Sequence, residues 1–460
     1  MSAVFEPAGE ASRALPLLNN ADAGRDFAWR AGRNVTVAEF LADVRAVAAV
    51  LPAGTAAVNL CDDRYAFLVA FCAVMCRGQT NLLPSSRAPQ AVEEVLAAHS
   101  GSYALSEVQP LPAPRRFTCL PLLGTTGIDA ETAVPAIPGR HLAAIGFTSG
   151  STGQPKPNPK TWRAFHASNA NNAAALAATL DLAPGAIAHV VATVPPQHMY
   201  GIELSVLLPL LGPFAVYDGR PLFPADVAAA LEAVPEPRVL VTTPVHLRAL
   251  LADPVPLPRL GAITSATAPL PQELAAEAEA RYGAPVLEFF GSTETCVIAQ
   301  RRCAEEDAWR AYAGVRLRPQ PDGTLVDAPY FDQPVTLQDI VELLPGHRFR
   351  LRGRNADLVE IAGKRASLAD LTRRVLALPG VADAAVFQLD EADGMGVRRI
   401  AALVVAAERS ETDLLHELRN AIDPAFLPRP LRRVAALPRN ETGKLPRAAL
   451  LDALGSEPGH

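Results

Sequence analysis

The chain has 460 residues, of which 49% are hydrophobic and 20% charged, and it carries a net charge of −6. That length allows two or three domains around a sizeable core, and the absence of a basic surplus argues against a nucleic-acid binder. The N-terminal MSAVFEPAGEASRALPLL has no basic segment followed by an apolar one. The most apolar run, Leu204 to Val216, is broken by Pro209, Gly212 and Pro213. Neither a secretory leader nor a membrane span is therefore expected, and a cytoplasmic location follows.

Taken in chain order, Thr36-Val-Ala-Glu39 has the form of a capping box before the apolar-periodic run Phe40 to Leu51. Ala56 to Leu60 reads as a strand, and Tyr65 to Cys76 and Pro89 to His99 read as helices. An irregular, proline-rich stretch follows from Gln109 to Gly139. No chemical motif falls here, so this part is expected to be scaffold. The six cysteines (61, 72, 76, 119, 296 and 303) form no C-x-x-C pair and no zinc spacing. Cys72 and Cys76, one helical turn apart, suit core packing.

From residue 142 the alternation becomes regular. A strand over Leu142 to Phe147 leads to a Gly/Ser/Thr-rich loop, and a helix runs from about Thr161 to Leu180. Strands then follow at His189 to Val194, near Ala215, at Arg238 to Thr242, at Gly261 to Thr264 and at Val286 to Phe290. Helices after Gly201 and from Ala225, Pro244 and Pro271 separate them, the last stopping before Gly283. This predicts an α/β fold of doubly wound parallel sheets in a large N-terminal domain, with ligands at the carboxyl ends of the strands. Beyond residue 358 the pattern becomes that of a small α+β domain, with capped helices at Ser367 and Ser410 and strands near Ala384 and Ala401.

The stretch Thr148-Ser149-Gly150-Ser151-Thr152-Gly153, followed by Pro155 and Lys156, suits a phosphate-gripping loop. Glycines let the backbone approach a ligand, hydroxyls and amides donate hydrogen bonds, and a lysine supplies charge. It is not a Walker-A loop, because Gly150 and Gly153 are too close and Gln154-Pro155 separates glycine from lysine. Nor does it fit the G-x-S-x-G of a nucleophile elbow. Taken singly, His198 also reads as a loop histidine hydrogen-bonded locally, and Glu294 as a helix-start carboxylate favoured by the macrodipole.

TSGSTGQPKP resembles the phosphate-binding signature of the adenylate-forming superfamily, which includes acyl-CoA synthetases, aryl-acid ligases and luciferases; Pro157 stands where glycine is usual. The resemblance extends along the chain. Pro196 to Gly201, with His198, resembles the motif bordering the acid pocket, and Ser265 to Pro269, with Ala266, Thr267 and Ala268, the turn lying along adenine. Phe290-Gly291-Ser292-Thr293-Glu294 resembles Y-G-x-T-E. It implies an aromatic ring on adenine, Thr293 on the α-phosphate and Glu294 on Mg2+. Asp339, within Leu-Gln-Asp where T-G-D is usual, would hold the ribose hydroxyls, and Arg354 ribose and phosphate. A hinge at 355–357, with Ala356 where aspartate or lysine is usual, would divide a large domain (1–354) from a small one (358–460). Gly363-Lys364-Arg365 matches the loop that the small domain brings to the site, and Lys444 lies in P-x-x-x-x-G-K-x-x-R as the catalytic lysine.

The resemblance implies an enzyme that uses ATP and Mg2+ to convert a carboxylic acid to an acyl-adenylate and then to a thioester. Its compact form is similar to ligases of aryl polyene and xanthomonadin-type pathways, which load a small aromatic acid onto acyl carrier protein. Transfer of a fatty or aryl acid to CoA is the alternative. A degenerate member that binds nucleotide without catalysis is a reading of another class, suggested by the departures at Pro157, Phe290, Gln338 and Ala356.

Overall fold

The helix Val37–Val50 begins where its capping box places it: the Thr36 hydroxyl accepts from the Glu39 amide at 3.3 Å, and the Glu39 carboxylate accepts from the Thr36 amide at 2.7 Å. The same local chemistry starts the helix Trp162–Thr179, capped by the Thr161 hydroxyl, and stops Gln272–Tyr282 at Gly283, whose φ is +64°. Only glycine takes that backbone conformation without strain. The computed structural model describes residues 13–84, 87–124, 133–149, 155–321, 323–354, 358–361, 364–392, 398–440 and 443–455. The chain divides into two compact units, residues 1–307 with 330–332, and residues 308–329 with 333–460. The expected hinge at 355–357 lies outside the described residues.

The first unit is built on two mixed α/β sheets. One has the strand order Pro155–Thr161, Leu142–Ser149, Thr80–Leu83, Ala56–Asn59, Ser102–Ser106, Phe117–Cys119, parallel throughout except at the first pair. In the other, Val286–Ser292, Ala262–Ser265, Arg238–Thr242, Ala188–Ala192, Phe214–Tyr217 and Asp26–Arg30 run parallel. Antiparallel strands flank it, Cys296–Arg302 at one side and Arg33–Thr36 at the other. Helices separate the parallel strands as expected, and their apolar faces form cores such as Val191, Leu231, Leu240, Leu247, Ile263 and Val286.

Three elements depart from the expected pattern. The glycine-rich loop does not run directly into a helix: Pro155–Thr161 first returns as a strand, with Lys156 opposite Thr148. Its prolines at 155, 157 and 159 are tolerated because the strand lies at the sheet edge and every second N–H faces away from the partner. Glu294 does not start a helix but sits in the hairpin turn between Val286–Ser292 and Cys296–Arg302. The helix after Gly201 is a π-helix over Ile202–Leu207.

In the second unit, Arg348–Arg354 pairs antiparallel with both Asp339–Leu344 and Trp309–Ala311. A separate sheet of Asp383–Ala392, Arg398–Val405 and Leu431–Arg433 packs through Ala384, Val386, Ala402 and Val404 with Leu371 and Val375 of Leu368–Leu376 and Leu414 and Leu418 of Glu411–Ala421. Among the described residues, no helix is long and apolar enough to cross a membrane.

Candidate active site

Glycine sets how closely the strand bearing the loop approaches the Thr293 turn. A Cβ at Gly146 would stand 2.9 Å from Thr293 Cγ2 and 3.4 Å from Met199 Cε. The absence of a side chain lets His198, Met199 and Thr293 share one small crevice with Leu83, Pro84, Gly146, Phe147 and Gln197. Three of the sequence motifs therefore meet: the strand leading into the phosphate loop, the histidine segment and the Thr293 turn. Of the loop, Thr148 and Lys156 lie opposite each other on its two flanking strands, and Asn158 donates to the Thr148 hydroxyl at 3.3 Å and the Lys156 carbonyl at 3.0 Å. Ser149 ends its strand, and Gly150, Ser151, Thr152 and Gly153 lie outside the described residues.

The Thr293 turn is tightly folded. Ser292 pairs with Cys296, whose φ is +61°, and Ser292 and Thr295 exchange hydrogen bonds of 3.1 and 3.3 Å between hydroxyl and amide. Gly291 is required, because a Cβ there would come within 2.1 Å of the Cys296 carbonyl oxygen. Thr293 and Glu294 are thereby carried at the tip of a hairpin, with Phe290 at the bulge where its strand changes register. Burial pushes the Cys296 thiol up in pKa, so it is held as a neutral thiol rather than a nucleophile.

The neighbouring strand ends at Ser265, which is followed by Ala266, Thr267 and Ala268. Thr267 has a φ of +79° and is exposed, while Ser265 is fully buried with no hydrogen-bond partner for its hydroxyl among the described residues. A non-glycine residue held in that conformation at a strand end is a recurring mark of functional turns. Tyr200 donates to or accepts from Thr264 at 2.8 Å, so its hydroxyl is engaged within the sheet. His198 stands just before the short Met199–Gly201 turn, its carbonyl accepting from the Ile202 amide at 2.8 Å, and the buried Arg64 fixes the preceding strand end by donating to the Ala192 and Val194 carbonyls, each at 2.9 Å.

Two residues beside these motifs carry charge into the interior. Lys160, 7% exposed, donates to the Glu294 carbonyl at 2.7 Å. Glu203, 1% exposed, accepts from the Val297 amide at 2.9 Å and from the Ser168 hydroxyl at 2.7 Å. Burial lifts its pKa to about 7 against those donors and the nearby Lys160 charge. The one charged residue in the run Ile202 to Leu207 is the sequence signal of Glu203, and Lys160 gives none.

Asp339, Arg354 and Lys444 belong to the second unit. Asp339 and Arg354 are register partners on adjacent strands, and the Thr324 hydroxyl donates to the Asp339 carbonyl at 2.6 Å. Lys444 is exposed on a turn in which its amide donates to Asn440 Oδ1 at 2.9 Å and its carbonyl accepts from the Asn440 amide at 2.8 Å. Arg439 steadies this turn, donating to the Gly443 carbonyl at 2.9 Å and pairing with Asp383 at 2.9 and 3.1 Å. Gly363 lies outside the described residues. No cluster of three or more metal-ligating side chains occurs among the described residues. A lone carboxylate such as Glu294 fits Mg2+, which keeps several waters and completes its shell with substrate phosphates.

A family profile described as AMP-binding enzyme matches residues 19–328, and one described as AMP-binding enzyme C-terminal domain matches residues 374–444. A 4-coumarate–CoA ligase of Rhodobacter capsulatus is 30% identical over 65% of the chain and 74% of the relative. That of Halorhodospira halophila is also 30% identical, over 70% and 80%. The o-succinylbenzoate CoA synthetase of Bacillus subtilis, solved in complex with its acyl-adenylate intermediate, shares the fold with a TM-score of 0.77 at 18% identity, covering 97% of this chain and 99% of that one.

Proposed function

The chain belongs to the AMP-binding enzymes, adenylate-forming acid–thiol ligases, and on that premise we propose that it activates a small aromatic carboxylic acid and passes the acyl group to a phosphopantetheine thiol. The observation that carries this reading is the single crevice shared by His198, Thr293 and the strand leading to the phosphate loop. An acid held at His198 and an α-phosphate held at Thr293 would be near neighbours, as in-line attack requires.

In the first half-reaction an oxygen of the acid attacks the α-phosphorus of ATP, forming the O–P bond of the acyl-adenylate as the bond to pyrophosphate breaks. Negative charge moves from the attacking carboxylate oxygen onto the equatorial and leaving oxygens, and preplaced donors and cations stabilise it. Thr293 donates to the α-phosphate, the Thr148–Lys156 loop grips the β- and γ-phosphates, and the Ala266–Ala268 turn and the Phe290 ring flank adenine. Asp339 and Arg354 hold ribose. Lys444 supplies an ammonium to the reacting oxygens, and a hinge at 355–357 exchanges this half-reaction for thioester formation. Mg2+ carried by Glu294 and the phosphates would neutralise charge on the leaving pyrophosphate.

The aromatic acid is supported by the named substrate of the two 4-coumarate–CoA ligases. The buried Ser265 hydroxyl, which lacks a partner among the described residues, supports a ring bearing a hydroxyl. Acyl carrier protein is the acceptor favoured by resemblance to the aryl polyene and xanthomonadin-type ligases, and CoA the one favoured by the relatives' names. Exchange of labelled pyrophosphate into ATP across benzoates, cinnamates and fatty acids tests the acid. Aromatic acids are expected to lead, and exchange confined to fatty acids would refute the reading. Thioester yield with CoA against holo carrier protein then decides the thiol.

A further inference from the structure

Glu203 is a buried carboxylate outside every motif that the activity uses, and its surroundings are specific. Ser168 and Asn172, both fully buried on the helix Trp162–Thr179, donate to it at 2.7 and 3.1 Å, and buried Asn169 on the same helix donates to its carbonyl at 2.9 Å. A helix that aims three interior polar side chains at one residue forgoes apolar packing to do so. The remaining donor is the Val297 amide, which reaches both carboxylate oxygens at 2.9 and 3.1 Å.

Val297 pairs with Gly291, one step beyond the Ser292–Cys296 pair that closes the turn carrying Thr293 and Glu294. At Glu294 of the same turn, Lys160 donates to the backbone carbonyl at 2.7 Å. The Glu203 carboxyl group therefore grips an N–H and the Lys160 ammonium a C=O of one short hairpin. The turn itself has little freedom, since Gly291 lies against the Cys296 carbonyl and Cys296 holds a left-handed backbone. Glu203 also stands on the π-helix that continues from the His198–Gly201 segment. Gly201 in turn lies so close to Pro195 that a Cβ there would come within 1.9 Å of its carbonyl oxygen. Irregular turns of this kind recur at functional sites.

We propose that Glu203 is a positioning residue: by holding the Val297 amide it fixes the Thr293–Glu294 turn in register with the His198 segment, so that the acid and the magnesium-nucleotide are presented together. This rests on the reading that Thr293 and Glu294 meet ATP and Mg2+. Second-layer partners of this type commonly affect metal affinity or activity by about 10- to 100-fold.

The test uses the full chain carrying Glu203→Gln, Glu203→Asp or, in parallel, Glu294→Gln. Mg2+ dependence is read both from pyrophosphate exchange and from calorimetric titration of ATP at varied Mg2+, which needs no turnover. Glu203→Gln keeps the size but replaces one accepting oxygen with a donor that meets the Ser168, Asn172 or Val297 donors, and Glu203→Asp is too short to reach the Val297 amide. Both are expected to raise the half-saturating Mg2+ roughly tenfold and lower the adenylation rate roughly 10- to 100-fold. KM for the acid should change less than about threefold.

A folded Glu203→Gln with wild-type Mg2+ dependence, beside a defective Glu294→Gln, would overturn the positioning role alone. Wild-type Mg2+ dependence in Glu294→Gln would overturn the reading beneath it, and the positioning role with it. Where Glu203→Gln fails to fold, Ser168→Ala and Asn172→Ala each remove one donor and should move the same quantities by about three- to tenfold; no movement in either overturns the proposal.

Discussion

Single residues decide how near the His198 and Thr293 segments come. Gly291→Ala places a methyl where the Cys296 carbonyl oxygen stands 2.1 Å away. Backbone must shift to admit it, at a cost of about 1–3 kcal/mol, and the shift falls on the turn that holds Thr293. A thermal midpoint several degrees lower and an adenylation rate reduced by roughly 100-fold are expected, measurable by calorimetry and pyrophosphate exchange.

Glu203 gives a pH signature in stability. Its pKa is raised from 4.5 to about 7 in the folded chain, first by burial. The protonated form is therefore favoured by folding, and the stability it brings is complete below pH 4.5 and lost as pH rises through about 7. The groups facing it are the Lys160 ammonium and two groups that burial keeps neutral, the Cys296 thiol and Tyr330 phenol. Replacing the ionisable group in Glu203→Gln should remove a fall of roughly 3 kcal/mol between those pH values. Parallel melting curves for wild type and variant check this, and an identical pH dependence in both would contradict it. At this scale motif order drew attention to His198, Thr293 and the strand before the glycine-rich loop, which share one crevice, whereas Lys160 and Glu203 were hidden: burial of a charge depends on partners distant in the chain, such as Ser168 and Val297.

Among the elements, those governed by local rules were legible. The Thr36 capping box, the proline-started helix Pro244–Ala252 and the Gly283 stop all stand where residue chemistry places them. The strand Pro155–Thr161 was not, because three prolines argue against a strand unless it lies at an edge, and edge position is a property of the sheet. Likewise the hairpin at Glu294 depends on pairing with Cys296–Arg302, which no local signal announces. The turn of Lys444 offers a test at this level. Arg439 links Asp383 to the Gly443 carbonyl across elements distant in sequence. Arg439→Ala should loosen that turn and slow adenylation by about tenfold, while the exposed turn leaves the thermal midpoint within a few degrees of wild type.

For the molecule as a whole, strands alternating with helices disclosed the parallel sheets; the change of pattern at residue 358 suggested a small domain, whereas the second compact unit begins at residue 308. Sheet order was less legible, since which strands become neighbours is settled by long-range packing. The division of labour predicts that Lys444→Ala loses most adenylation yet still forms thioester from supplied acyl-adenylate, followed by product chromatography; adenylate formed at wild-type speed would refute the role of Lys444. Every step of the proposed reaction depends on attack at the α-phosphorus by an aromatic acid. It is tested most directly by mixing the enzyme with Mg2+, α-labelled ATP and an aromatic acid, with thiol withheld, and separating the quenched products. Labelled aryl-adenylate is expected, with pyrophosphate released in equal amount. Labelled ADP, or no labelled ester with any acid of the panel, would contradict it.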